Sequence, residues 1–107
     1  MTDTWIDAAA CDDIEDQDLI GVEIGGRKIA IYNLGGEFFA TSALCTHEEE
    51  LLTDGLVIDG IIECPWHQGR FCVRTGKAKG APATIDLATF PVRVEKGRVL
   101  VHISKSP

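Results

Sequence analysis

Residues 56–67 read LVIDGIIECPWH. Two apolar arms, Leu56 to Ile58 and Ile61 to Glu63, flank Asp59-Gly60, a dipeptide suited to a two-residue hairpin turn with positive φ. The stretch therefore predicts a tight antiparallel hairpin. That hairpin carries the chain after Cys45-Thr46-His47 back toward Cys64-Pro65-Trp66-His67. Two Cys/His pairs, separated by sixteen residues, then meet at one end of a β structure.

The same pattern recurs outward from the hairpin. Short β-branched or aromatic runs at Leu19 to Ile24, Lys28 to Tyr32 and Phe38 to Thr41 are separated by Gly25-Gly26 and Gly35-Gly36. Near the end, Pro91 to Glu95 and Arg98 to Ile103 flank Lys96-Gly97. Val92, Arg93, Val94 and Glu95 alternate apolar and polar, as a strand with one buried face requires. Closely spaced strands with glycine turns predict an all-β antiparallel sandwich or small barrel. Only Trp5 to Ala10 suggests a helical turn.

The 107 residues are 45% apolar and 25% charged, which fits a single globular domain over 1–107. The apolar runs are too short to span a membrane. The beginning, MTDTWIDAAACDD, lacks the basic start and apolar block of a secretory signal, so a cytoplasmic location is expected. Ten basic and seventeen acidic residues give a formal charge of −7, which argues against a nucleic-acid partner. In the cytoplasm, four cysteines point to metal or redox duty ahead of two disulfides.

Cys-x-His followed by Cys-x2-His supplies two thiolates and two imidazoles. A closed structural zinc site could use them, but zinc modules usually group like ligands, as Cys-x2–4-Cys and His-x3–5-His. A nucleophilic Cys–His pair has no use for a second copy. A [2Fe–2S] centre with Cys₂ on one iron and His₂ on the other draws one ligand of each kind from each loop. That mixed pattern is the one present. The remaining alternative, unrelated core or surface residues, is weakened by the hairpin that joins the pairs.

Cys45-Thr46-His47 with Cys64-Pro65-Trp66-His67 resembles the Rieske ligand motif. Gln68-Gly69-Arg70-Phe71, Arg74-Thr75-Gly76-Lys77, Gly80-Ala81-Pro82 and the closing valine alternation are similar to Rieske ferredoxins of bacterial aromatic-ring-hydroxylating dioxygenase systems. The resemblance implies an antiparallel fold with a two-loop tip, at about 44–50 and 63–70, holding one [2Fe–2S] cluster. Cys45 and Cys64 would ligate one iron through Sγ; His47 and His67 would ligate the outer iron through Nδ1. Gly55 and Gly69 would allow tight loop geometry, and Pro82 would cover the cluster. Cys72 and Cys11 are read as non-ligands, and His102 as structural or exposed.

A terminal oxygenase would need a further iron site with two histidines and a carboxylate, and only His102 is left. The resemblance thus implies an electron carrier between a flavin-dependent ferredoxin reductase and a terminal oxygenase. A small nitrite-reductase subunit and a zinc-binding interaction module are the alternatives. Glu48 and Glu49 follow a ligand directly, so they join Trp66 and Pro82 as candidates for partner docking, although a charge run is more often a solvated loop.

Overall fold

The computed structural model describes residues 3–43, 51–64, 69–79 and 86–104. The first strands are β1 (Asp3–Ala10), β2 (Asp18–Ile24), β3 (Arg27–Leu34) and β4 (Glu37–Ser42). Then come β5 (Leu56–Ile58), β6 (Ile61–Glu63) and β7 (Arg70–Cys72). The last are β8 (Thr89–Phe90), β9 (Val92–Glu95) and β10 (Arg98–Ser104). They form three antiparallel sheets, ordered β1-β10-β9, β2-β3-β4-β8 and β5-β6-β7. The all-β antiparallel expectation holds, and the expected strands lie within a residue or two of those found.

The expected hairpin is present. Ile58 pairs with Ile61, leaving Asp59 and Gly60 as the turn, with φ of 53° and 77°. This is the left-handed conformation that a tight turn matched to strand twist requires, and aspartate and glycine tolerate it best. The connections β2–β3, β3–β4 and β9–β10 are two-residue turns of the same kind.

Strand β3, inside the central sheet, is buried on both sides. Along β3, Ile29 and Ile31 join Val99, Val101 and Ala40 in one apolar cluster. The alternate residues Ala30 and Tyr32 join Leu52, Val57, Ile62, Cys64 and Phe71 in the other. Successive strand side chains point to opposite faces, so one strand serves both cores. All four of Ile29 to Tyr32 are fully buried.

The helical turn suggested within Trp5 to Ala10 is a correction: these residues are strand, paired with β10 from Asp3 opposite Ser104 to Ala10 opposite Arg98. Alanine's helix preference is worth only about 0.5–1 kcal/mol per residue relative to poor formers. A ladder with β10 along the whole strand, interrupted only by a bulge where Ala9 is buried, outweighs it. A single helical turn follows immediately, at Cys11–Asp13.

Candidate metal centre

Three chain segments leave the same end of the molecule, and each is clamped where it departs. The first leaves β4 at Ala43, whose amide donates to the Lys28 carbonyl. It is closed by the Leu52 amide donating to the Ala43 carbonyl at 2.7 Å. The second leaves β6 at Cys64 and returns at Gly69, where the Cys64 amide donates to the Gly69 carbonyl at 2.6 Å. Glu63 and Arg70 form the last pair of the ladder beneath it. The third departs after Lys79, whose amide donates to the Arg70 carbonyl at 2.8 Å. It returns at Asp86, whose Oδ1 accepts from the Ala78 amide at 2.8 Å.

These bases share one core. Ala43, Leu52, Cys64 and Leu87 are all buried in the cluster between the central sheet and β5–β7. Gly55 locks the first base to the second. Its φ is −92°, so conformation does not demand glycine; space does. A Cβ there would collide with the Glu63 carbonyl oxygen and stand 3.1 Å from the Leu52 carbonyl oxygen. The turn that ends the first loop therefore rests on the residue preceding Cys64.

Cys64 is 1% exposed, among aliphatic and aromatic side chains. Beneath the loop bases, the Tyr32 hydroxyl and Thr41 Oγ1 are 2.9 Å apart, and Thr41 Oγ1 also donates to the Ser42 carbonyl. Burial pushes the Tyr32 phenol's pKa up to about 12, against a smaller opposing effect of the Thr41 hydrogen bond.

Cys72 points the other way. Along β7, Phe71 is buried in the cluster that holds Cys64, while Arg70 is exposed and Cys72 half-buried on the opposite face. The Thr75 hydrogen bond holds the Cys72 thiol below its ordinary range, against a smaller opposing push from burial. Neither Cys72 nor Cys11 takes part in a disulfide. His102 lies on the β1-β10-β9 sheet, its ring 5.0 Å from that of Trp5 and tilted 59° to it.

Of the expected site residues, Cys64 is the one the structure places. Cys45, His47, Glu48, Glu49, Trp66, His67 and Pro82 lie outside the described residues. Sequence reasoning missed the clamps at Asp86 and Tyr32–Thr41. No local signal marks them, since each joins residues on separate strands or loops.

The Rieske [2Fe-2S] domain family matches residues 4–91. The chain belongs to this family. The Rieske chain is 50% identical over 103 residues to the ferredoxin component of the naphthalene 1,2-dioxygenase/salicylate 5-hydroxylase systems of a Ralstonia species. That match covers 96% of this chain and 99% of the relative. The Sphingomonas yanoikuyae B1 ferredoxin superposes with a TM-score of 0.89 at 36% identity, covering 94% of this chain and all of that one. A chain from a complex of reduced oxygenase and oxidized ferredoxin in carbazole 1,9a-dioxygenase matches with a TM-score of 0.86 at 36% identity, covering 91% of each. This Rieske protein is thus a ferredoxin component of the aromatic-dioxygenase type, an electron carrier and not a hydroxylating enzyme.

Its cofactor is a Rieske [2Fe-2S] cluster, and the residues fit that group. The enclosed sulfur of Cys64 is a soft donor in a site screened from water, as an iron–sulfur centre favours. The Gly55 contact draws the second Cys/His loop against the base of the first.

Proposed function

We propose that this chain, folded as one Rieske domain, carries single electrons from a flavin-dependent ferredoxin reductase to the terminal oxygenase of an aromatic-ring-hydroxylating dioxygenase system. The observation that carries the reading is the shared, clamped base of the two Cys/His loops, with Cys64 buried at its centre. Cys45 and Cys64 would hold the cluster by sulfur, and His47 and His67 by imidazole. Chain length alone keeps Cys45 within about 7 Å of the Ala43 Cα. Bound there, the [2Fe–2S] cluster supplies a one-electron couple.

The protein's own residues do the rest. The apolar cluster around Cys64 excludes water, and the Gly55 contact fixes the spacing of the two loops. Glu48 and Glu49, next to His47 in sequence, steer basic partner surfaces toward the ligand loops, with Trp66 and Pro82 as apolar contacts. Exposed charges of this kind set encounter rate more than affinity. The place of action is the cytoplasm; no helix among the described residues is long and apolar enough to cross a membrane.

Reconstitution tests the assignment. With reductase, cluster-loaded chain and oxygenase mixed, electron delivery to the oxygenase should require the chain and saturate with it. Equal delivery when the chain is omitted would overturn the reading.

A further inference from the structure

The solvent face of an antiparallel sheet packed on one side is ordinarily polar. The outer face of β5–β6–β7 is not. Val57 points into the core, while its neighbours Leu56 and Ile58 are 56% and 57% exposed. Ile61, paired with Ile58, continues the apolar strip across the hairpin. Together with Asp59, Glu63 and Arg70 these side chains line a shallow concavity of about 270 Å³. Its far rim is the Arg70–Glu63 ion pair, Nε to Oε2 at 2.9 Å, so both signs of charge stand at one edge.

Location gives this patch its meaning. Glu63 immediately precedes Cys64, and Arg70 immediately follows Gly69, so the strip runs up the hairpin to the base of a ligand loop. A protein seated on it lies against the cluster-binding end. Contiguous exposed apolar surface rimmed by polar residues is one mark of a protein-docking site.

We propose that the outer face of β5–β6–β7, formed by Leu56, Ile58 and Ile61 with the Glu63–Arg70 rim, docks the terminal oxygenase. This rests on the electron-carrier reading above. The oxygenase is the occupant because the matched relative, aligned over 91% of its length, comes from a ferredoxin–oxygenase complex. An apolar strip supplies the holding contact, while the charged rim fixes orientation. Apolar contact also distinguishes this face from acidic steering, because salt screens exposed charges over about 8 Å at physiological strength and leaves apolar burial intact.

The test uses cluster-loaded protein carrying Leu56→Ser and Ile58→Thr together, with Ile58→Asn alone as the milder variant. Both positions are solvent-facing, so iron content and the visible spectrum should match the parent. The dissociation constant for the terminal oxygenase of the host's own dioxygenase system should rise about tenfold for the double variant. The rise should persist at high ionic strength, and the rate of reduction by the reductase should be unchanged. Unaltered oxygenase binding by both variants would overturn the proposal. So would slowed reduction by the reductase with oxygenase binding intact, which would give the face to the other partner. A parent protein that neither binds the oxygenase nor passes electrons to it would instead defeat the electron-carrier reading itself.

Discussion

The two outer sheets present contrasting surfaces to solvent. On β1-β10-β9, Asp7 and Arg98 form a two-pronged ion pair, Nε to Oδ1 and Oδ2 at 3.0 and 3.1 Å. Arg93 reaches Glu95 at 2.9 Å and lies 4.2 Å over the Trp5 ring, which His102 flanks. Arginine thus covers part of Trp5, while Val94 on β9 stays 48% exposed between charged neighbours. On β5-β6-β7, two exposed aliphatic residues stand on a strand of three. The difference lies in position as well: the first sheet joins the two chain ends of the fold, and the second ends at the buried Cys64.

The contrast breaks most sharply at the ligands. Cys64→Ser should abolish iron binding and the visible spectrum, whereas Cys72→Ser, on the opposite face of β7, should keep both. Iron lost from Cys72→Ser would show that the two faces are not functionally distinct.

A smaller but still large effect is expected at the contact between the loops. Gly55→Ala forces a methyl group against the Glu63 carbonyl and should cost about 1–3 kcal/mol, as overpacking does. It should also lower iron occupancy. Thermal melts and iron assays read the two together, and parent-like values in both would show that the contact is loose.

Tyr32→Phe sharpens the comparison inside the core. Losing the hydroxyl bonded to Thr41 should cost about 1 kcal/mol near neutral pH. The folded phenol's pKa, about 12, lies above its ordinary 10.0. Its contribution is therefore complete below pH 10 and is lost as pH rises toward 12, because the folded state binds the proton more tightly. Tyr32 is the chain's one tyrosine, so near-ultraviolet tyrosinate absorbance during alkaline titration reports it alone. Titration near the ordinary value, or an equal alkaline loss in Tyr32→Phe, would contradict this account.

The smallest effect belongs to the finished sheet. Asp7→Asn should lower the melting temperature slightly at low salt and indistinguishably at high salt, since both partners are half-exposed. A loss that survives high salt would mean that this pair does more than decorate the surface.

What could be read in advance followed the range of the interactions. The Asp59-Gly60 hairpin was legible because turn chemistry is local, and it led directly to the expectation that the Cys/His loops meet. β1 was not, because its ladder partner lies nearly a hundred residues away (Trp5 opposite His102) and its alanines carry a helical preference. Alternation implies one buried face, and neither β9 nor β3 shows it. On β9 Val92 is half-buried and Val94 exposed, because only one neighbouring strand covers that edge, while on β3 both faces are covered. Gly55 could be singled out through the family resemblance alone; the Glu63 carbonyl that excludes a side chain there is eight residues away. Leu56, Val57 and Ile58 read alike as one apolar hairpin arm, and only their three-dimensional placement separates the exposed pair from the buried Val57.

The double burial of β3 has a thermodynamic consequence. Ile29 and Ile31 support the β10 side while Ala30 and Tyr32 support the Cys64 side, so neither half-core can open without disturbing the strand they share. A ligand held at the Cys64 end selects the folded state by mass action, and the added free energy is felt wherever opening requires that strand to move. Amides of Val99 and Val101, on the sheet across β3 from Cys64, should then exchange with solvent more slowly in the loaded protein than in the empty one. The sheet with no part in holding the cofactor would thereby report its occupancy.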